Sequence, residues 1–114
     1  MRLLVVEDEK KLCDMIAKSL HQSGYEVDVC NDGEEALDMI YAEMYDLIVL
    51  DLNLPGVDGM EILRELRKED EETKVLILSA RSQIADKIEG LDAGANHYME
   101  KPFHLQELEA RVRS

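Results

Sequence analysis

The stretch Ile48-Val-Leu-Asp-Leu-Asn-Leu-Pro-Gly-Val-Asp-Gly59 decides how this chain folds. It begins inside an apolar run, Leu47 to Leu50, with the length and branched residues of a strand buried on both faces. The run ends on a carboxylate, Asp51, and a Pro-Gly turn follows. A lone carboxylate at the mouth of a buried strand is costly unless its charge is compensated. The remaining sequence must supply that compensation.

Two more continuous apolar runs, Leu3 to Val6 and Val75 to Leu78, have the same character. Tyr25 to Cys30 alternates apolar and polar residues instead, and His97 to Lys101 is short and polar. These two suit sheet edges, which tolerate charge and brevity. Between the runs lie five segments of helical period. Leu12, Met15, Ile16 and Leu20 mark the first, ended by Gly24, and Ala36, Leu37, Ile40 and Met44 mark the second. Ile62, Leu63 and Leu66 mark the third, Ile84, Ile88 and Leu91 the fourth, and Leu105, Leu108 and Val112 the fifth. Asp32 with Glu35, and Asp58 with Glu61, read as capping boxes opening helices two and three.

Strict alternation of strand and helix implies α/β architecture: a doubly wound five-stranded parallel sheet flanked by five helices. Polar strands at the edges and apolar ones inside give the order 2-1-3-4-5. Ligands of such sheets bind beyond the carboxyl ends of the strands, where the winding reverses, here between strands 1 and 3.

The chain has 114 residues, enough for one domain with a true core. A net charge of -13 repels nucleic acid and anionic membranes, so any DNA binding must come from another segment. No apolar run approaches the ~18 residues of a membrane span. Acids follow Met1 to Val6 immediately, a start too short for a signal peptide, so none is expected and the expected location is the cytoplasm. Cys13 and Cys30 lack metal-ligand spacing and read as reduced, buried thiols. His21 and His104 fall on helical segments and are expected at the surface.

One rim collects the chemistry. Strand 1 is followed by Glu7 and Asp8, strand 3 ends on Asp51, strand 4 on Ser79, and strand 5 on Lys101. Three carboxylates in one cleft repel each other. A hard divalent cation such as Mg²⁺ resolves that conflict, because it takes carboxylate oxygens and keeps open positions. With Lys101 the charges balance, and a phosphoryl oxygen can enter an open metal position. This is equipment for phosphoryl transfer by electrostatic stabilisation, with Asp51 as nucleophile.

These residues resemble the receiver domains of bacterial two-component response regulators, along the whole of residues 1–114. The anchors are Val5-Val-Glu-Asp8, Asp51-Leu-Asn-Leu-Pro-Gly-Val-Asp-Gly59, Leu78-Ser-Ala80 and Ala93-Gly-Ala-Asn-His-Tyr-Met-Glu-Lys-Pro-Phe103, each after an expected strand. The resemblance implies a flavodoxin-like fold and a switch, not an enzyme in the ordinary sense, that promotes its own phosphorylation and dephosphorylation. It implies that Asp51 accepts a phosphoryl group from a sensor histidine kinase. Asp8 and Asp51 would ligate Mg²⁺ by side chain, Asn53 by its backbone carbonyl, and Glu7 through a water. Ser79 and Lys101 would bind the phosphoryl group, Tyr98 would be the switch aromatic, and the Lys101–Pro102 bond would be cis. Asn53 and Arg81 occupy positions that tune phosphoryl hydrolysis.

Within the family the chain is most similar to receivers coupled to winged-helix transcription regulators. That resemblance implies a phosphorylation-dependent homodimer through helix 4, strand 5 and helix 5. Lys87 and Glu107 match one charge pair of that face, and Arg111 matches a basic partner. Asn96-His97 replaces the usual acidic pair, so Arg111 is expected to lack its acid, and a protonated His97 to repel it. The dimer is therefore expected to be weak, and weaker below the ~6.5 reference pKa of histidine. Helix 5 reaches Ser114 uncapped and the acidic charge has no basic counterweight, so an output domain absent from this chain is expected. A stand-alone receiver that docks on a protein target is the alternative output. An Asp-nucleophile phosphatase would carry a second Asp where Asn53 stands. A flavin or nucleotide carrier would want a Gly- or Ser/Thr-rich loop where Glu7-Asp8-Glu9-Lys10 stands.

Overall fold

The three continuous apolar runs lie at the centre of one parallel sheet, since only there are both faces of a strand shielded from water. The computed structural model describes residues 1–114. In chain order the elements are β1 (Arg2–Val6), α1 (Lys10–Gln22), β2 (Glu26–Cys30), α2 (Gly33–Ala42) and β3 (Leu47–Leu50). They continue with α3 (Gly59–Glu69), β4 (Lys74–Ser79), α4 (Ile84–Asp92), β5 (His97–Glu100) and α5 (Leu105–Arg113). The strand order is β2-β1-β3-β4-β5, all parallel, with the two polar strands at the edges.

Alternate residues along the inner strands feed two cores. Leu4, Val6, Ile48, Leu50, Val75 and Ile77 pack with Ala36 of α2 and with Met60, Ile62, Leu63 and Leu66 of α3. Leu3, Val5, Leu47, Val49, Leu76 and Leu78 pack with Cys13, Ile16 and Leu20 of α1 and with Leu108 and Val112 of α5. Both cysteines are free and buried.

The helix faces differ from the sequence expectation in three places. In α1 the buried line is Cys13, Ile16 and Leu20, and Met15 is half exposed. Helix α2 ends at Ala42, so Met44 lies beyond it and is 87% exposed. Helix α4 contributes nothing to either core: Ile84, Ile88 and Leu91 face solvent, and Gly90 is its one buried residue. Gly90 lets α4 lie close to the sheet, because a Cβ there would meet Ile77 Cδ1 at 2.8 Å and Tyr98 Cδ2 at 3.1 Å.

Helix caps form by halves. Asp32 accepts from Glu35 N (2.8 Å), and Asp58 accepts from Met60 N (3.2 Å), one residue earlier than a capping box requires. The Pro55-Gly56 turn uses a left-handed Gly56 (φ 82°). Gly59 allows the start of α3 to press onto the end of β3. Its N–H donates to Leu52 O (2.8 Å), and a Cβ would lie 2.3 Å from Asp51 O and 2.6 Å from Leu52 Cα. Gly59→Ala must push backbone aside, so urea unfolding should show a loss of about 1–3 kcal/mol. An unchanged midpoint would mean that the β3–α3 junction is not tightly packed.

Candidate functional site

The sheet ladder continues one residue past the strands and fixes the rim. Glu7 N donates to Cys30 O (3.0 Å), Asp51 N to Val6 O (3.0 Å) and Lys101 N to Ser79 O (2.8 Å). The side chains of neighbouring strand ends therefore converge. One carboxylate oxygen from each of Glu7, Asp8 and Asp51 lies within 4.8 Å of the others. Glu7 and Asp51 are buried, and Asp8 is exposed.

Lys101 reaches in from the end of β5. Its Nζ lies 2.6 Å from Glu7 Oε1 and 3.2 Å from Asp51 Oδ2. Asp51 Oδ1 also accepts from Asn53 N (3.2 Å), and Glu7 Oε2 from Glu9 N (3.1 Å). The Lys101 ammonium is thus the one cation in direct contact with both buried carboxylates.

The pKa shifts follow from this imbalance. Burial pushes the Glu7 carboxyl up to about 6, and the charge of Asp51 adds to it, while Lys101 and the Glu9 N–H oppose. Burial works against the Lys101 ammonium too, but Glu7 and Asp51 outweigh it and raise its pKa. One cation faces three carboxylates, and a divalent cation would complete the balance. The donor set is all carboxylate oxygen, two of its three residues are buried, and Asp8 keeps it open to solvent. These residues fit a hard, oxygen-seeking ion such as Mg²⁺.

Around this centre the other candidate residues take distinct places. Ser79 is fully buried, and its Oγ accepts from Arg81 N (3.0 Å). Tyr98 is half-buried and donates its hydroxyl to Arg81 O (2.8 Å). The Lys101–Pro102 peptide bond is cis. Asn53 Oδ1 accepts from Arg81 Nε (2.9 Å) and Nη2 (2.7 Å), and the same Nη2 pairs with Asp58 Oδ1 (2.8 Å). Sequence reading assigned Asp58 only to the start of a helix. Its ion pair joins residues 23 apart in the chain, and no spacing rule signals it.

The residues of the expected dimer face are occupied within the chain. Lys87 pairs with Glu100, and Arg111 Nη2 lies 3.3 Å from Glu107 Oε2 one helical turn away. No acid stands at positions 96–97 to partner Arg111, and within the chain α5 supplies Glu107 at i−4 instead. Arg111 Nη1 also lies 3.4 Å from His97 Nδ1. Burial, then Arg111 and Lys74, lowers the His97 pKa below its usual value. Asn96 turns the other way, its Oδ1 accepting from Val75 N (2.9 Å).

Fold and site together define a class: a doubly wound α/β domain with an acidic, metal-ready pocket at its switch point. The response regulator receiver domain family matches residues 3–113, and the chain belongs to it. It is 47% identical to the transcriptional regulatory protein TctD of Salmonella typhimurium over all 114 residues, which are 51% of TctD. The chain thus spans about half the length of the curated relatives it matches. The receiver domain of the Francisella response regulator 1452 superposes with a TM-score of 0.94 at 41% identity, covering 98% of this chain and 93% of that one. Response regulator TrrA of Thermotoga maritima, determined in complex with Mg(2+)-BeF, gives 0.88 at 35% identity, covering 98% and 96%. This chain is accordingly a receiver domain of the two-component response regulators.

The raised Glu7 pKa has a defined pH signature in metal-free protein. Between the ordinary value of 4.5 and about 6 the folded state holds a proton that the unfolded state releases. Stability contributed by this group therefore falls as pH rises through that window. In chelator, Glu7→Gln should exceed wild type in urea unfolding by about 2 kcal/mol above the window and match it below. A difference independent of pH would contradict the burial of a titrating Glu7.

Proposed function

We propose that this receiver accepts a phosphoryl group on Asp51 from a phosphohistidine of a sensor kinase and transmits the change through α4, β5 and α5. The observation that carries this is the setting of Asp51. It is buried beside Lys101 and the Asn53 N–H, in a carboxylate cluster that needs a divalent cation.

Asp8 and Asp51 would hold Mg²⁺ by side chain, Asn53 by its backbone carbonyl and Glu7 through a water, and the ion when bound would supply charge neutralisation for the phosphoryl oxygens. An Asp51 oxygen attacks phosphorus as the P–N bond breaks. The imidazole leaves with the electron pair and takes a proton from water. Lys101 stays beside Asp51 and stabilises the transferred charge. Ser79 turns its hydroxyl from Arg81 N to the phosphoryl group. Tyr98 then exchanges its bond to Arg81 O for an inward position. Asn53 and Arg81, already bonded to each other above Asp51, set access of water to the acyl phosphate.

The output is transcription control in the cytoplasm, through a DNA-binding segment outside this chain. The curated relatives are transcription regulators. No helix is long and apolar enough to cross a membrane. The exposed line of Ile84, Ile88 and Leu91 favours dimerisation through α4, β5 and α5 over a purely stand-alone role. A phosphatase reading is disfavoured, because the residue two past Asp51 is Asn53, whose side-chain Oδ1 is held by Arg81.

Acetyl phosphate with Mg²⁺ should add the mass of one phosphoryl group to wild type and none to Asp51→Ala. A gain that persists in the variant, or in chelator, refutes the assignment. For the dimer, sedimentation of the phosphorylated protein should show weaker association once pH falls below the lowered His97 range, under the usual ~6.5. A protonated His97 then faces Arg111 and Lys74. A tight dimer indifferent to pH would remove His97 from the interface.

A further inference from the structure

The Arg81 side chain spans two loops of the rim, and its backbone is held separately from its guanidinium. Arg81 N donates to Ser79 Oγ (3.0 Å), and Arg81 O accepts from Tyr98 (2.8 Å). The β4–α4 loop is thus pinned at this residue from both sides of its peptide unit. The guanidinium is tied to different groups: Asn53 Oδ1 takes two bonds, and Asp58 Oδ1 takes one with an opposite charge. Asn53 N in turn donates to Asp51 Oδ1 (3.2 Å), so Arg81 is bonded to the residue that touches the phosphoacceptor.

Three facts bear on what this arrangement does to an incoming phosphodonor. The donor is an anion, and the pocket beneath is acidic. Lys101 is directed inward and shared between Glu7 and Asp51. Arg81 is a partly exposed cation at the mouth, matched in shape to phosphoryl oxygens, but its charge is countered by Asp58. Asp58 has a second attachment, since its other oxygen caps Met60 N at the start of α3. It is a rigid anchor, and the flexible partner of the pair is Arg81.

We infer that Asp58 is a positioning residue that parks Arg81 on Asn53 and away from phosphoryl oxygens, restraining phosphorylation by small anionic donors. The inference rests on Asp51 being the phosphoacceptor. When a phosphoryl group enters, Asp58 and the phosphoryl oxygens compete for one guanidinium. Neutralising Asp58 leaves Arg81 free to take the donor side before transfer without moving the loop, because in the unphosphorylated protein its backbone is still held by Ser79 and Tyr98. The ion pair is partly exposed, so its release carries a modest effect.

The test uses the whole 114-residue chain with acetyl phosphate and Mg²⁺. Asp58→Asn removes the charge and keeps an oxygen for the Met60 N–H. It should lower the half-saturating donor concentration by about two- to five-fold, as expected for an exposed ion pair, with the maximal rate little changed. Asp58→Glu should behave as wild type. In an Arg81→Ala background, Asp58→Asn should have no further effect, which separates the ion pair from a general change in field. In the metal-free protein the Arg81 Nε–H resonance should shift and exchange faster in Asp58→Asn. The inference is overturned if Asp58→Asn acts equally with and without Arg81, if it alters only the maximal rate, or if the Nε–H signal stays put. Failure of wild type to take a phosphoryl group at Asp51 would instead overturn the phosphoacceptor reading itself.

Discussion

Three carboxylates, two of them buried, gathered around one partly buried ammonium are the constraint on which this structure turns. Glu7 and Asp51 leave water when the inner strands pack, and Lys101 can answer only part of their charge. In an exposed cluster the same residues would be screened and inexpensive. Here the parallel sheet, covered on both faces, removes the solvent that would relieve them. Burial, with the charge of Asp51 added, drives Glu7 towards its neutral form, and the unbalanced carboxylates fit the pocket to a divalent cation. Folding strain and ligand affinity have one origin.

The sheet meets this constraint by rigidity. Ladder bonds carried past the strand ends hold Glu7, Asp51 and Lys101 by their backbones, so the side chains cannot drift apart. Gly59 locks the following helix against the same strand. The other side of the rim is built more loosely. Helix α4 sends no side chain into either core, and it meets the sheet through Gly90 and the ring of Tyr98. Elements with few buried contacts move at low free-energy cost. The proposed signal, beginning at a rigid carboxylate, would have a pliable neighbour to act upon, through Ser79, Arg81 and Tyr98.

Sequence reading succeeded where one local pattern has one physical cause. Continuous apolar runs mark strands covered on both sides, and Leu3 to Val6, Leu47 to Leu50 and Val75 to Leu78 are all central. Helical periodicity was less decisive. It marks an apolar stripe but not whether anything covers that stripe. Met15, Met44 and the three exposed residues of α4 show the difference. In α1 the polar-looking Cys13 displaced Met15, because a small thiol fits between helix and sheet.

Strand order, the location of the acidic pocket and the gathering of Glu7, Asp8, Asp51, Ser79 and Lys101 at one rim were determined by the sequence itself. Alternating strand and helix patterns leave few ways to wind a parallel sheet, and the ends of its strands then share one edge. Partner choice among charged side chains was decided only in three dimensions. Arg81 pairs with Asp58 and Lys87 with Glu100, partners far apart in the chain. Each had several acids within plausible reach along an acidic chain. Coulomb energy and hydrogen-bond geometry depend on separation in space, over a few ångströms, and chain spacing does not encode that once loops fold back.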